Sequence, residues 1–274
     1  MRDHRPRFRI RRACVALLVV AACSKPVRQP ILWDEDRRVP GAVAPGATMV
    51  LLAGGVPAVQ VAWAPMRWPD DAAACTQTFT AARGRGDTVY AAWRTGKDST
   101  TTVVRVARTV NSGIAWGPPV SLGAAAPAPQ GCARPAPGIA LDTLASAVHV
   151  VFHGIYAGVA GTFSASTTRG NRAFATPVLI AKGARPAPAA IAALGDTLAV
   201  VFESPTAPEG AIWLAISLGA GHIPDIRMAL SPAGIHAFSP SVAVGEGRVG
   251  AAWNEGRHGD QGPAAVARVG RWAR

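Results

Sequence analysis

A short repeated unit limits what this chain can fold into. Its clearest copy is a turn and strand, GDTVYAAW, at residues 86–93, which is matched by GDTLAVVF at residues 195–202. Weaker copies lie at residues 46–53, 148–152 and 247–253. These marker strands end at 53, 93, 152, 202 and 253, so they are spaced by 40, 59, 50 and 51 residues. A period of this length is typical of proteins built by repeating one supersecondary unit.

Each unit carries the sequence signals of four short strands. A short apolar segment that begins near a proline precedes each marker strand, and two further strand-like segments follow it. In one copy these later segments are 102–107 and 119–122, and in the next they are 161–164 and 177–180. The 29 glycines and 23 prolines disfavour long helices. Since one four-stranded sheet cannot bury both of its faces, the units must stack. The sequence predicts an all-β fold, a β-propeller of four-stranded blades, with five blades expected and six as the alternative.

The first residues have the pattern of an export signal. Six arginines within residues 2–12 precede an apolar stretch from Ala13 to Ala22, which is too short to cross a bilayer as a helix. The sequence VAAC at 20–23 resembles a bacterial lipobox, which implies that Cys23 is lipidated. We predict a lipoprotein signal peptide at 1–22, a lipid-anchored linker at 23–37 and the propeller at 38–274. The alternative is an ordinary signal with a chance cysteine.

This pattern predicts a location in the bacterial cell envelope. The chain would be held on a membrane through Cys23 after export, at the outer membrane or the periplasmic face in a Gram-negative cell. The leader also accounts for part of the net charge of +12, because outside residues 1–22 the chain has 22 basic and 15 acidic residues in scattered positions. We therefore expect no nucleic-acid partner. No metal-binding, phosphate-binding or nucleophile motif occurs, so neither a metal site nor a cofactor is predicted.

One turn resembles that of a known family. Thr109, Asn111, Gly113 and Trp116 match the Ser-x-Asp-x-Gly-x-x-Trp pattern of sialidase-type propellers with Asp-box (BNR) repeats, with two conservative departures. Residues 166–174 match it with one inserted residue. The resemblance implies a sialidase-like propeller. In such a turn the Asn or Asp side chain bonds backbone amides, glycine supplies an unusual φ and the aromatic ring packs between blades.

In a propeller, the segment leading into each innermost strand and the loop after each second strand share one face. The leading segments carry Arg38, Gln77, Arg134, Arg185 and Ser239, and the loops carry Arg94, His153, Glu203, Asn254 and Glu255. Converging guanidinium groups suit a carboxylate, which they bind in a bidentate manner. We predict that Arg38, Arg134 and Arg185 bind the ligand with His153 and Glu255. The resemblance implies that Arg38 is the first arginine of a triad that binds sialic acid. The alternative is that the arginines bond loop carbonyls and that His153, Glu203 and Glu255 are solvated.

The resemblance also implies a tyrosine nucleophile activated by a glutamate, with an aspartate as acid/base. Tyr156 on a glycine-rich loop, Glu203, Asp70 and Asp71 are the candidates in this chain. The family places its nucleophile late in the chain, whereas Tyr156 lies near the middle. Whether the protein is an enzyme is therefore left open.

Two cysteines beyond the leader, Cys75 and Cys132, lie 14 and 16 residues before Val89 and Val148 of consecutive marker strands. Equivalent positions in adjacent blades lie close together near the axis, and the envelope is oxidising. We therefore predict a Cys75–Cys132 disulfide.

Together these features predict an envelope-anchored lipoprotein whose propeller binds a glycan or an anionic small ligand at an arginine-lined mouth. The alternatives are an exo-sialidase-type glycoside hydrolase and a protein-interaction scaffold of an envelope complex.

Overall fold

The fold is known from a computed structural model. It describes residues 31–34, 37–39, 79–98, 101–111, 113–127, 134–142, 144–167, 173–207, 210–219, 224–245, 247–256 and 264–272. Asp70, Asp71, Cys23, Cys75 and Cys132 lie outside these ranges, so the predictions made for them remain predictions.

All regular elements within the described ranges are β-strands, which are grouped into four antiparallel blades. The strands of blade I are β3 (Phe79–Arg83), β4 (Val89–Asp98), β5 (Thr101–Thr109) and β6 (Val120–Pro127). Those of blade II are β7 (Gly138–Asp142), β8 (Ala147–Tyr156), β9 (Val159–Ser166) and β10 (Val178–Lys182). Those of blade III are β11 (Ala189–Leu194), β12 (Thr197–Glu203), β13 (Ile212–Ser217) and β14 (Ile226–Ala229). Those of blade IV are β15 (His236–Gly245), β16 (Arg248–Gly256), β17 (Ala264–Trp272), β1 (Ile31–Trp33) and β2 (Arg37–Val39).

The four blades stand side by side in chain order. Contacts join β3 to β7, β7 to β11 and β11 to β15, so the first strand of each blade is the innermost one. The four later marker strands predicted from the repeat are β4, β8, β12 and β16, the second strand of each blade. The all-β propeller fold is therefore confirmed. The expected blade around residues 46–53 lies outside the described ranges, and five blades remain a prediction.

The core lies between the blades, because the second strands β4, β8 and β12 are buried on both of their faces, and β16 is buried on one. In β12, Leu198, Val200 and Phe202 pack toward blade II, whereas Ala199 and Val201 pack toward blade IV. Side chains alternate across a strand, so a strand covered on both sides must be apolar at every position. This explains why the marker strands are continuous apolar runs and why neighbouring blades must stack.

Blade IV is completed by a segment from the other end of the chain. Ile31, Leu32 and Trp33 of β1 pair with Trp272, Arg271 and Gly270 of β17, and β2 pairs with residues 265–267. Ile31 is part of the apolar core between blades III and IV. The segment thereby covers the edge of β17, whose backbone groups would otherwise be unpaired.

This pairing differs from the expected chain layout. The segment that was expected to be a linker, 23–37, already contains β1 and the first residue of β2. Arg38, expected in front of an innermost strand, lies instead in β2, where it pairs with Val266 at the outer edge of blade IV. The exposed edge of β17 needed a partner, and the nearby extended segment of the chain supplies it.

The turn after β5 is held by its own side chains. Thr109 Oγ1 donates to Asn111 Oδ1 at 2.6 Å and accepts from the Gly113 amide at 3.2 Å. Asn111 Oδ1 also accepts from the Ala115 amide at 3.0 Å, while Gly113 has a φ of 91°. Trp116 packs against Trp93 and its neighbours. Side-chain oxygens replace backbone partners here, as in other Asx turns.

Across the described ranges, no helix has the length and apolar character needed to cross a bilayer.

Candidate functional site

The two ends of the blades differ in what they carry. At one end, the segments leading into the innermost strands meet the ends of the second strands, and we call this end the mouth face. At the other end lie the turns between first and second strands and the loops between third and fourth strands, and we call it the back face. The predicted sharing of one face by Arg134, Arg185, His153 and Glu203 follows from this strand order.

The residues that follow the marker strands join neighbouring blades. Arg94 Nη2 donates to the His153 carbonyl of blade II at 2.7 Å, and His153 Nε2 bonds to the Gly183 carbonyl at 3.1 Å on the way to blade III. Glu203 Oε1 in turn accepts from the Ser239 amide of blade IV at 3.1 Å. One position of the repeat therefore bonds to backbone groups three times: from blade I to II, from blade III to IV, and, for His153, to the segment that leaves blade II.

These side chains are buried rather than solvated. Arg94 is 2% exposed, and His153, Glu203 and Glu255 are also buried. Glu255 Oε1 accepts from Trp253 Nε1 at 3.0 Å. The expectation of solvated rim groups is therefore wrong for His153, Glu203 and Glu255, because the blades converge toward the axis and cover the ends of their second strands.

The charges of three arginines act on His153. Burial is the main cause that lowers its pKa, the Gly183 hydrogen bond opposes the shift, and the charges of Arg134, Arg94 and Arg185 add to it. The result is a pKa of about 4, so the ring is neutral at pH 7. Its Nε2 carries the proton, since the carbonyl can only accept. Blades I, II and III thus bring three guanidinium groups to one neutral histidine.

The buried arginines are held at an energetic cost. Burial and then the charge of Arg134 lower the pKa of Arg94 to about 10, and burial also lowers the pKa of Arg134. Among the described residues, neither Arg94 Nε nor Arg185 Nε has a hydrogen-bond partner, although both atoms are buried. Buried donors without acceptors and neighbouring like charges both destabilise the folded state. An anion placed among these groups would relieve both effects.

Arg185 belongs to a second set of contacts. Its Nη2 donates to the Ser204 carbonyl at 2.6 Å and lies 3.8 Å from Glu203 Oε2. Burial raises the pKa of Glu203, while the Ser239 amide and the Arg185 charge act in the opposite direction. Ser239 has a φ of 54° beside a bulge in β15, a strained backbone that its bond to Glu203 helps to hold. Part of the alternative is thus correct, because Arg185 does bond a loop carbonyl.

A cavity of about 590 Å³ opens on the mouth face. Its lining includes Ser239, which bonds to Glu203, but not the arginines, His153 or Glu203 themselves. It is lined by the starts of the innermost strands, namely Thr80, residues 135–139, residues 188–191, Ser239 and Pro240. Thr80 Oγ1 donates to the Pro137 carbonyl at 2.6 Å across this lining. Arg134 comes directly before the lining segment of blade II, and Arg185 comes three residues before that of blade III. The cavity has the size of an ordinary small-molecule site.

The other predicted site residues lie elsewhere. Tyr156 ends β8 at the mouth face, but its ring packs edge-on against Phe163 at 6.0 Å and lies beside Gly123 of blade I. It fills the space between two blades and does not line the cavity. Arg38 lies in β2, away from the innermost strands. The predicted trio of arginines is therefore replaced by Arg94, Arg134 and Arg185, and Arg94 could be found because it occupies the same repeat position as His153.

We expect stability to depend on pH through His153. Its pKa of about 4 in the folded state lies below its ordinary value of 6.5, so between these values the unfolded chain binds more protons. Through this group, the free energy of unfolding is highest above pH 6.5 and decreases by about 3 kcal/mol as the pH falls toward 4. The free energy of unfolding of the wild type and of His153→Gln can be measured by urea unfolding at several pH values from 4 to 7. We expect the free energy to depend less steeply on pH in the variant. Equal slopes would contradict this assignment.

The chain can be compared with protein families, with curated proteins and with solved structures. No family model matches the chain, and no curated protein matches it. A GH43_12 protein retrieved from capybara gut metagenome aligns at 15% identity and a TM-score of 0.43, over 71% of this chain and 39% of that one. A polysaccharide lyase of family PL25, an ulvan lyase, aligns at 12% identity and a TM-score of 0.42, over 71% and 56%.

Trypanosoma rangeli sialidase aligns at 7% identity and a TM-score of 0.40, over 67% of this chain and 29% of the sialidase. The chain thus spans between 29% and 56% of the length of these three proteins. At such identities and TM-scores the likenesses do not bear on the ligand or the activity of this chain.

Proposed function

We propose that this protein binds a carboxylate-bearing small ligand, a glycan unit with an acidic group, in the cavity of the mouth face. The observation that carries the proposal is that the charges of Arg94, Arg134 and Arg185, from three consecutive blades, all act on one neutral histidine. Arg134 and Arg185 also come just before the chain segments that line the cavity. A guanidinium fork binds a carboxylate through two parallel hydrogen bonds.

The cost of this arrangement supports a functional role. Arginines that served only to join blades could be replaced by apolar residues of similar size, often with a gain in stability. Here two buried cations, Arg94 and Arg134, and the partly exposed Arg185 act on one histidine. Glu203 lies within ion-pair distance of Arg185. Such a concentration of positive charge raises the local concentration of anions at the mouth.

The mouth also offers groups for hydroxyls of a sugar ring. Glu203 accepts a hydrogen bond from the amide of Ser239, a residue that lines the cavity. Burial raises the pKa of the Glu203 carboxyl, and the charge of His236 acts against this shift. A site with cations from blades I to III and an acidic group from blade III suits a ligand that carries one carboxylate and several hydroxyls. Binding is proposed ahead of the hydrolase alternative because Tyr156, the nucleophile candidate, packs against Phe163.

The lipid anchor at Cys23 and the location in a bacterial cell envelope are part of the same proposal. They are supported by the arginine-rich leader, the short apolar stretch and the lipobox-like VAAC at 20–23. A propeller tethered in this way would present its mouth to glycans of the envelope or its surroundings.

Calorimetric titration with matched pairs of sugars tests the ligand class. Glucuronic acid and galacturonic acid each differ from glucose and galactose by a carboxylate in place of a hydroxymethyl group. We expect the acids to bind at least about tenfold more tightly than the neutral sugars, and their affinity to fall as salt is raised. Equal affinities within each pair, or no binding of any acidic sugar up to millimolar concentration, would contradict the proposal.

A further inference from the structure

We infer that the back face of the propeller rests on the surface of a lipid bilayer, so that the mouth points away from the membrane. The inference rests on the proposed anchor at Cys23. It adds an orientation and a docking surface, which neither the repeat nor the mouth itself implies.

The first observation is the distribution of exposed apolar side chains. Among the described residues, eight large hydrophobic side chains are exposed, and seven of them lie in the back half of their blades. The most exposed are Ile114 at 67%, Leu144 at 63%, Val110 at 60% and Leu32 at 59%. Only Trp213 lies toward the mouth face. Single exposed apolar residues are normal on a protein surface, but a collection on one face marks an interaction surface.

The second observation is that every described blade contributes. Val110 and Ile114 lie on the loop after β5 of blade I, and Leu144 lies on the turn between β7 and β8 of blade II. Leu218 follows β13 of blade III, and Leu32 pairs with Arg271 at the back end of blade IV. A surface spread over four blades suits a broad, flat partner better than a small ligand.

The third observation is where the chain enters the fold. Ile31 pairs with Trp272, the last residue of β17, so β1 begins at the back face. Only seven residues lie between Cys23 and Ile31, and the eight Cα-to-Cα steps reach at most about 29 Å when fully extended. A ten-residue strand such as β8 spans about 33 Å. A lipid at Cys23 is therefore too close to the back face for the mouth to be turned onto the same bilayer.

Charge has little part in this docking. Arg85 and Arg248 are exposed on the back face, but Asp87 and Asp196 are exposed there as well. Mixed charges give no strong attraction to an anionic headgroup layer. The aliphatic side chains carry the contact, so a zwitterionic bilayer should be sufficient and moderate salt should not release the protein from it.

Hydrogen exchange of the full-length lipoprotein tests the orientation. The protein, produced with its own leader, is placed in phosphatidylcholine vesicles and compared with the same protein in detergent, after mass spectrometry of the N-terminal peptide has established the lipid at Cys23. We expect exchange at residues 110–119 and 144–146 to slow at least about threefold on vesicles, and exchange at 183–188 and 204–207 to stay unchanged. Slowing at the mouth segments, or at neither face, would overturn the inference.

A pair of variants identifies the side chains responsible. Ile114→Ser with Leu144→Ser should remove the slowing on vesicles, whereas Trp213→Ser, which changes an exposed apolar residue near the mouth, should leave it in place. Protection that survives the double substitution would contradict a contact made by these side chains. An unmodified Cys23 would remove the anchor and this inference together, while ligand binding at the mouth is measured independently of both.

Discussion

Replacing Gly270 with valine is expected to detach β1 from blade IV and to lower the free energy of unfolding by about 3 kcal/mol. Gly270 is buried and pairs with Trp33 of β1. A Cβ at this position would collide with Ile31 Cγ2 and would lie 2.9 Å from Trp33 Cε3. Since Ile31 belongs to the core between blades III and IV, its displacement also exposes apolar surface.

Urea unfolding measures the loss, and Gly245→Val is the matched control. Gly245 ends β15 of the same blade, its φ is not positive and a Cβ there meets no atom within 4 Å. We expect the control to change stability by less than about 0.5 kcal/mol. Hydrogen exchange should also accelerate at the amides of β17 that pair with β1. A Gly270→Val protein as stable as the wild type would show that β1 does not close this blade.

The strands of the fold could be predicted from the sequence because burial on both faces leaves a distinctive pattern. Residues 198–202 form an unbroken apolar run that is followed by Glu203, and the equivalent runs recur at the period of one blade. Such a strand can be recognised without knowing which face each side chain is on, because every residue packs against one neighbouring blade or the other. Turn chemistry adds to it, as the side-chain bonds of Thr109 and Asn111 show.

The partner of an additional strand could not be predicted in the same way. Arg38 and Val39 precede a proline, as the segments leading into the innermost strands do, and local sequence alone suggested the same role. In the structure they pair with β17, which lies more than two hundred residues later in the chain. Which exposed edge accepts a strand depends on the assembled fold, and here also on Gly270, whose missing side chain makes room for β1.

The site was predicted in part for a related reason. The repeat placed Arg134, Arg185, His153 and Glu203 on one face, which the strand order supports. It could not show that His153 and Glu203 are buried, because a polar residue at the end of a strand resembles a solvated rim group in sequence. Burial there results from the convergence of blades near the axis, a property of the whole assembly.

The largest effect on function is expected from replacing Arg134 and Arg185 together by glutamine. Each substitution removes a charged donor pair from a carboxylate, and such hydrogen bonds contribute about 1.5–3 kcal/mol each. We expect the affinity for an acidic sugar to fall by at least about a hundredfold, which calorimetric titration would measure. Binding of the same sugar with unchanged affinity would exclude these arginines from the site.

Two further double variants separate geometry from charge. Arg85→Gln with Arg248→Gln removes the same two charges from the back face, so it should leave the affinity unchanged if the local arrangement matters. Arg134→Lys with Arg185→Lys keeps the charge but loses the planar fork, so the affinity should fall by about tenfold and not by a hundredfold. If the mouth and back-face glutamine variants lose the same amount of affinity, the net charge of the protein, and not the position of the arginines, determines binding.

Stability distinguishes binding from a purely structural role for the same residues. Arg185 donates to the Ser204 carbonyl and lies beside Glu203, so its loss removes contacts within blade III as well as a ligand group. If the arginines only joined segments of the fold, the glutamine variant would unfold at a lower urea concentration than the wild type. Its affinity for the ligand, measured while it is folded, would be unchanged. If they bind the ligand, the fall in affinity must persist well below the unfolding transition. Since burial already opposes the charge of Arg134, we expect the loss of stability to be the smaller effect, below about 2 kcal/mol.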